Sequence, residues 1–261
     1  MQARAGPRGG PPAKRSSGAT ALPNAIDFAR QSLGFEPDAR QKEVLSSKAK
    51  RGILNCTRQW GKSTVAAIKA LHTAQAKPGA LVLVASPGER QSAEFLNKTE
   101  VLVRRLGIRP RGDGKNSCSL LLPNGSRIVG LPGTEGTVRG FSSVSLLLID
   151  EAARVSDPLY RALRPMLAVA DGDLWMMSTP NGKRGFFYET WASPDADWHR
   201  LSVPATDCPR IPQDFLEEEE REQGHSSFRQ EYMCEFTDDR HQMFPRDLIR
   251  AAFCDIEPLK F

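Results

Sequence analysis

The chain has little cysteine for its length. Cys56, Cys118, Cys208, Cys234 and Cys254 are five among 261 residues, odd in number, widely spaced and without a Cys-x-x-Cys. This pattern excludes a disulfide framework and a cysteine zinc site, and it suits a reducing cytoplasm. Histidine is scarcer still: His72, His199, His225 and His241 lie at no ligand spacing, so no histidine metal centre is expected. Long apolar runs are missing, which predicts no membrane span, and Met1 to Ala25 lacks the apolar core of a secretory signal. That first stretch also contains no acid. Arg4, Arg8, Lys14 and Arg15 sit there among eight Gly or Pro residues, predicting a disordered basic arm over 1–25, either a solvated tail or a contact for nucleic-acid phosphates.

What remains is enough for one sizeable α/β core with a small appended subdomain, but not for two full domains. Lys plus Arg exceed Asp plus Glu by 36 to 31, a mild excess that suits a phosphate-bearing partner without demanding one.

The core is organised around Ile53 to Thr64, ILNCTRQWGKST. Ile53 and Leu54 suit a buried strand, and Val65, Ile68 and Leu71 follow at helical spacing from Ser63 onward. A polar loop ending in Gly-Lys-Ser between strand and helix reads as a phosphate-binding loop: backbone N–H groups, a helix N-terminus and the Lys62 ammonium together supply donors and positive charge. Ser63 would hold magnesium. Cys56 replaces the usual first glycine of that motif, so by itself Gly-Lys-Ser at a helix start remains open to coincidence.

A second motif narrows the choice. Val144 to Glu151, VSLLLIDE, is an apolar run ending in two carboxylates, as a buried parallel strand delivering acids to its carboxyl end requires. Asp150 can orient a magnesium-bound water, and Glu151 can polarise the water that attacks a γ-phosphate. Upstream, Phe35 and Gln41 are either a core ring and a surface amide or, with a nucleotide bound, a stacking ring and an adenine-pairing amide.

Around these motifs strands and helices alternate, predicting a mostly parallel sheet flanked by helices. Ala80 to Ala85 reads as a strand turning at Ser86 into a helix to about Leu106. Cys118 to Leu122 and Arg127 to Leu131 flank an Asn124-Gly125 hairpin turn. Leu174 to Met177 is a strand ending in Ser178-Thr179-Pro180-Asn181, after a helix capped by Ser156-Asp157-Pro158, and His199 to Val203 is another. Ser86, Asp150 and Ser178 would therefore line one carboxyl edge, where ligands of open α/β folds gather. Arg104, Arg105, Arg109, Arg111 and Lys115 form a basic stretch, read either as a solvated face or as a DNA contact. Arg139, in the glycine-rich loop before VSLLLIDE, is either a surface charge or an arginine finger presented to a neighbouring subunit. From Pro212 onward the composition turns helical, with Phe228, Tyr232 and Phe236 grouped at helical spacing. Residues 206–261 are expected to form a small lid on the 26–205 core.

Taken together, CTRQWGKST, LLLIDEAARV, MSTPNGKRGFFYETW and FRQEYMCEF resemble, in order and spacing, the ATPase domain of the large terminase subunit, the motor that packages DNA in tailed bacteriophages. The resemblance covers about residues 26–240. It implies a RecA-like P-loop NTPase with an additional strand and a catalytic glutamate, using ATP and Mg²⁺. It implies Glu151, Lys62, Arg58 and Arg139 as catalytic residues, Ser63 and Asp150 as magnesium ligands, and Ser178, Thr179 and Pro180 as the coupling motif. The nucleotide-binding set would be Phe35, Gln41, Cys56, Thr57, Arg58, Gln59, Trp60, Gly61, Lys62, Ser63 and Thr64. Arg104, Arg105 and Arg154 are further candidates for the finger.

The family also implies double-stranded DNA, a small terminase subunit and a homo-oligomeric ring on a capsid portal as partners. Full terminases continue into a ribonuclease-H-like nuclease. Only 25 residues follow Phe236 here, including Asp238, Asp239, Asp247 and Asp255, so no nuclease activity is expected in this chain, whether it is an excised domain, a truncated prophage gene or half of a split gene. A helicase-like DNA-dependent ATPase and a remnant that binds nucleotide or DNA without turnover are the alternatives.

Overall fold

The structure, a computed structural model, describes residues 22–131, 133, 138, 140–194, 197–237, 248 and 252. The basic arm up to residue 21, Arg139 and the four C-terminal aspartates lie outside the described residues.

Helix α1 (Ala25–Asp27) is capped by the Asn24 side chain and runs on into a π-helical turn, Phe28–Ser32. Helix α2 (Ala39–Ser46) leads to strand β1 (Arg51–Cys56), which is followed by α3 (Lys62–Ala76), β2 (Leu81–Ala85) and α4 (Glu89–Arg105). Strands β3 (Ser119–Leu121) and β4 (Arg127–Leu131) form the expected hairpin, in which Gly125 takes φ +81° and donates to the Leu122 carbonyl. Then come β5 (Val144–Asp150), α5 (Asp157–Leu163), β6 (Asp173–Ser178), α6 (Gly185–Ala192) and β7 (His199–Val203). Helices α7 (Gln213–Gln223) and α8 (His225–Glu231) follow.

The strands form one seven-stranded sheet in the order β3-β4-β2-β5-β6-β1-β7, parallel except for the β3 edge. This is a mostly parallel sheet flanked by helices, as the strand-helix alternation predicts. Successive residues of the central strands point to opposite faces, yet both faces are apolar. Leu146 and Leu148 join a core with α2, α3 and α4, while Leu147 and Ile149 join one with α5 and α6. That double coverage is why these strands read as continuous hydrophobic runs rather than alternating ones.

Two features differ from the sequence expectation. Phe228 and Tyr232 share a small third core with Ala205 and Leu216, but α8 stops at Glu231 and Phe236 leaves that group. In an extended tail, the Phe236 ring packs instead against Phe187, Tyr188 and Trp191. Gly224, with φ +75°, breaks the helical run between α7 and α8, and Cys234 at φ +59° turns the chain back toward β1. The basic stretch, for its part, lies at the amino edge of the sheet: the Arg111 carbonyl accepts from Leu121, which pairs with Arg127 at the start of β4.

Topology matters most at β6, which lies between β1 and β5. At the usual strand spacing the two strands that carry the motifs are therefore about 10 Å apart. Long side chains must close the gap.

Candidate active site

The loop after β1 is built without the first glycine because nothing there needs one. Cys56 is still a strand residue, fully buried and paired with Val203 of β7. The left-handed turns fall later, at Gln59 (φ +64°) and Gly61 (φ +94°). Trp60 anchors the loop in the core with 1 % of its surface exposed. Its carbonyl accepts hydrogen bonds from Gln41 Nε2 at 3.0 Å and from Arg210. Helix α3 then starts at Lys62, presenting the unpaired N–H groups and positive dipole of a helix N-terminus.

Lys62 spans the gap to the carboxyl end of β5, its ammonium 2.9 Å from Glu151 Oε1. Ser63 Oγ donates to Asp150 Oδ2 at 3.1 Å, and the Glu151 backbone N–H donates to Asp150 Oδ1 at 3.1 Å. Asp150 is buried, and burial, helped by repulsion from Glu151, lifts its carboxyl above the usual range; Lys62 and Ser63 oppose that shift. Glu151 itself takes a left-handed conformation, φ +51° and ψ +43°, which turns the chain sharply at the strand end. A non-glycine residue held there costs of order 1 kcal/mol and persists only because its surroundings fix it.

Arg154 follows on the next turn and is drawn into the same cluster. Its Nη1 lies 3.2 Å from Glu151 Oε2 and 3.0 Å from Thr179 Oγ1, so the second acid and the polar end of β6 share one guanidinium. Its Nη2 bonds Glu231 Oε1 at 3.0 Å, and Glu231 Oε2 accepts from Arg58 Nε at 2.7 Å. Ser178 and Thr179 are buried, as is Pro180. Three buried oxygens at the carboxyl ends of β1, β2 and β6, Asn55 Oδ1, Ser86 Oγ and Ser178 Oγ, have no hydrogen-bond partner among the described residues. Together with the Ser63 hydroxyl and the Asp150 carboxylate, they make an oxygen-rich edge of the kind hard cations and their phosphate partners use.

The structure thus brings together Arg58, Lys62, Ser63, Asp150, Glu151, Arg154 and Thr179. Thr57 donates to the Glu231 carbonyl at 3.3 Å, while Thr64, on the first turn of α3, donates its backbone N–H to the Gly61 carbonyl. Gln41 and Phe35, named from sequence as adenine contacts, each make contacts within the protein. The Gln41 amide is buried and bound to the protein's own backbone, accepting from the Asp38 N–H and donating to Trp60, while Phe35 packs on the first core. Arg104 pairs with Glu100, and Arg105 donates to the Leu33 carbonyl; both sit at the end of α4 opposite the one that follows β2. Sequence reasoning missed Glu231, Asn55 and Arg210. Glu231 lies inside FRQEYMCEF, a string whose spacing alone marked only its aromatic residues.

Comparison with known proteins gives the family and the fold. The family described as "Terminase large subunit, T4likevirus-type, N-terminal" matches residues 53–251. The terminase large subunits of Thermus phage G20c and Thermus virus P23-45 are each 28 % identical over 174 residues, covering 59 % of this chain and 36 % of theirs. The chain therefore spans only about a third of the length of these curated relatives. The large terminase ATPase domain of Thermus phage P74-26 superposes with a TM-score of 0.73 at 23 % identity, over 83 % of this chain and all of that one. The large terminase of a thermophilic bacteriophage, in complex with ADP, gives 0.67 at 12 % identity, over 77 % of this chain and 54 % of that one. These structures share the fold, and with a family match over most of its length the chain belongs to the T4likevirus-type terminase large subunits, of which it represents the N-terminal region.

Proposed function

We propose that this chain is the ATP-hydrolysing motor domain of a phage or prophage terminase large subunit, translocating double-stranded DNA into a capsid. The observation that carries the reading is the convergence of Lys62, Ser63, Asp150 and Glu151 from opposite sides of β6 to within hydrogen-bonding distance. Phosphoryl transfer needs cations around a polyphosphate and a carboxylate beside it to orient the attacking water. Lys62 and Arg58 supply the first. Glu151 supplies the second, accepting a proton from water once Lys62 turns from it to the phosphates.

Ser63 and Asp150 would hold magnesium, which when bound neutralises charge on the phosphoryl oxygens. Asp150 is suited to this because its carboxylate, disfavoured by burial, gains most from a cation. Thr179, joined to Glu151 through Arg154, is the coupling residue: movement of Arg154 during turnover is transmitted to the end of β6. Helices α7 and α8, with their own small core, act as a lid that closes over Arg58.

The working partners are double-stranded DNA, further copies of this chain in a ring on the portal, and a small terminase subunit, all in the host cytoplasm. Arg139 is the finger offered to a neighbour's site. The test is ATP turnover against protein concentration, with magnesium and with or without duplex DNA. Turnover that rises faster than linearly with concentration and increases with DNA is the expected result. Tight nucleotide binding with no hydrolysis at any concentration, with or without DNA, would overturn the motor reading in favour of a binding-only protein.

A further inference from the structure

Lys69 lies on α3 about two turns beyond Lys62, and its ammonium stands over the face of the Trp175 ring, 4.2 Å from the centre. It also lines a cavity of about 450 Å³, within the range of small-molecule sites. That cavity is bounded by α1, the segment joining α2 to β1, α3 and the start of β6. Ile26 and Leu45 give it apolar walls, while Ser47, Thr73 and the exposed Lys48 give it polar ones. Asp173, the first residue of β6, adds a carboxylate, so the cavity belongs to the amino edge of the sheet, a strand's length from Ser178. His72 is in the lining too but is engaged elsewhere: its Nε2 lies 2.9 Å from the Pro23 carbonyl, and its ring meets Phe28 edge-on.

We propose that this cavity is an acylation site in which the Lys69 amine attacks the carbonyl carbon of a small acyl phosphate. Three features converge there: a primary amine on the wall, space beside it for a donor, and Lys48 with the Ser47 hydroxyl to meet the donor's phosphate. The reaction needs a neutral amine, and the surroundings supply one. Burial lowers the Lys69 pKa to about 8, with the Asp173 carboxylate opposing that shift. About one Lys69 in ten is then neutral at pH 7, against fewer than about one in 10³ for a solvated lysine. As the new C–N bond forms, the bond between the acyl carbon and the phosphate oxygen breaks, and the amine proton leaves with the phosphate as hydrogen phosphate. No other reactant is consumed. The product suits the site better than the ammonium does, because a neutral amide carries no charge to be desolvated against the ring. Neither Lys62 nor the phosphate loop takes part, so the inference stands apart from the ATPase reading.

The test is to incubate the native chain with acetyl phosphate and follow each lysine by peptide mass spectrometry. At pH 7 Lys69 should be acetylated at least tenfold faster than Lys48, at a rate that saturates with acetyl phosphate and levels off above about pH 9. Saturating ATP-γ-S should leave Lys69 labelling unchanged, which separates this cavity from the phosphate loop. Asp173→Asn removes the carboxylate that favours the ammonium, so the midpoint of the pH profile should move down and labelling at pH 7 should rise about threefold. A merely structural role for Asp173 would not move that midpoint, and thermal melting checks that the variant is folded. Lys69→Arg should abolish the fast phase and leave Lys48 labelled as before. Labelling of Lys69 no faster than that of Lys48, or a rate that rises in strict proportion to acetyl phosphate, overturns the site. A midpoint unmoved by Asp173→Asn overturns the part given to the carboxylate, and protection of Lys69 by ATP-γ-S overturns the independence of the two sites.

Discussion

Lys62 and Glu151 form an ion pair at 2.9 Å across β6, although one starts the helix after β1 and the other directly follows β5, two positions away in the sheet. The pair joins the group that would bind phosphate to the group that would act on water. Each therefore restrains the other until a ligand separates them.

Glu151→Gln tests this pairing directly. The amide keeps the shape of the side chain but cannot take a proton, so turnover should fall by about 10²–10⁴, the usual contribution of a positioned general base. Lys62 loses its carboxylate at the same time, so nucleotide affinity should hold or tighten. Steady-state turnover and nucleotide titration on the same preparation check both, and turnover within tenfold of the native chain would remove Glu151 from the base role.

Asp150 gives a prediction about pH. Burial raises its carboxyl above the usual carboxylate range, so the folded chain holds this proton more tightly than the unfolded one. Stability is therefore lost as pH rises from the unfolded value of about 3.9 through the folded value. Asp150→Asn removes the charge while still accepting from Ser63. The variant should melt higher than the native chain at neutral pH, and the difference should shrink as pH approaches 4. Magnesium-dependent turnover should disappear. A variant that melts lower than the native chain at neutral pH would mean that the charge is already compensated.

Gln41→Ala separates two uses of one amide. Gln41 closes a capping box with Asp38 and holds the Trp60 carbonyl from a fully buried position. Losing both contacts should cost about 1–2 kcal/mol and loosen the phosphate loop, weakening ATP and GTP binding to the same degree. A loss confined to ATP would instead return the residue to adenine recognition.

Much of this architecture is legible in the sequence because local physics writes it there. Runs such as LVLVA and VSLLLID must be doubly covered strands, and Asn124-Gly125 forces a hairpin at φ +81°. Gly-Lys-Ser after an apolar run, with Asp-Glu after another, locates Lys62, Ser63, Asp150 and Glu151 before any coordinates. Glu231 is different. It lies 173 residues from Arg58 and 77 from Arg154, and no periodicity or turn chemistry connects them. The end of α8 is similar: helical spacing continues through Phe236, but the pull of the aromatic surface of α6 takes that ring out of the run. Gln41 is ambiguous in the sequence because a capping box and an adenine contact require the same side chain.

Gly52 shows how the site depends on packing behind it. Gly52 of β1 pairs with Trp175 of β6, and a Cβ built on it would meet the Trp175 ring at 2.3 Å. The ring cannot yield easily, since it is 1 % exposed within the first core and carries the Lys69 ammonium at 4.2 Å from its centre. Burial lowers the pKa of that ammonium to about 8, so pushing the ring toward Lys69 meets a charge already poorly solvated. Gly52→Ala should therefore cost about 1–3 kcal/mol as an overpacked core and lower the melting temperature. Because Asn55 near the end of β1 pairs in register with Ser178 at the end of β6, the strand shift that relieves the clash also moves the phosphate loop relative to Thr179. Turnover should fall more than nucleotide affinity, which a change at the far end of the strand would not otherwise produce. A variant with the native melting temperature would show that the two strands can part at that point without disturbing the site.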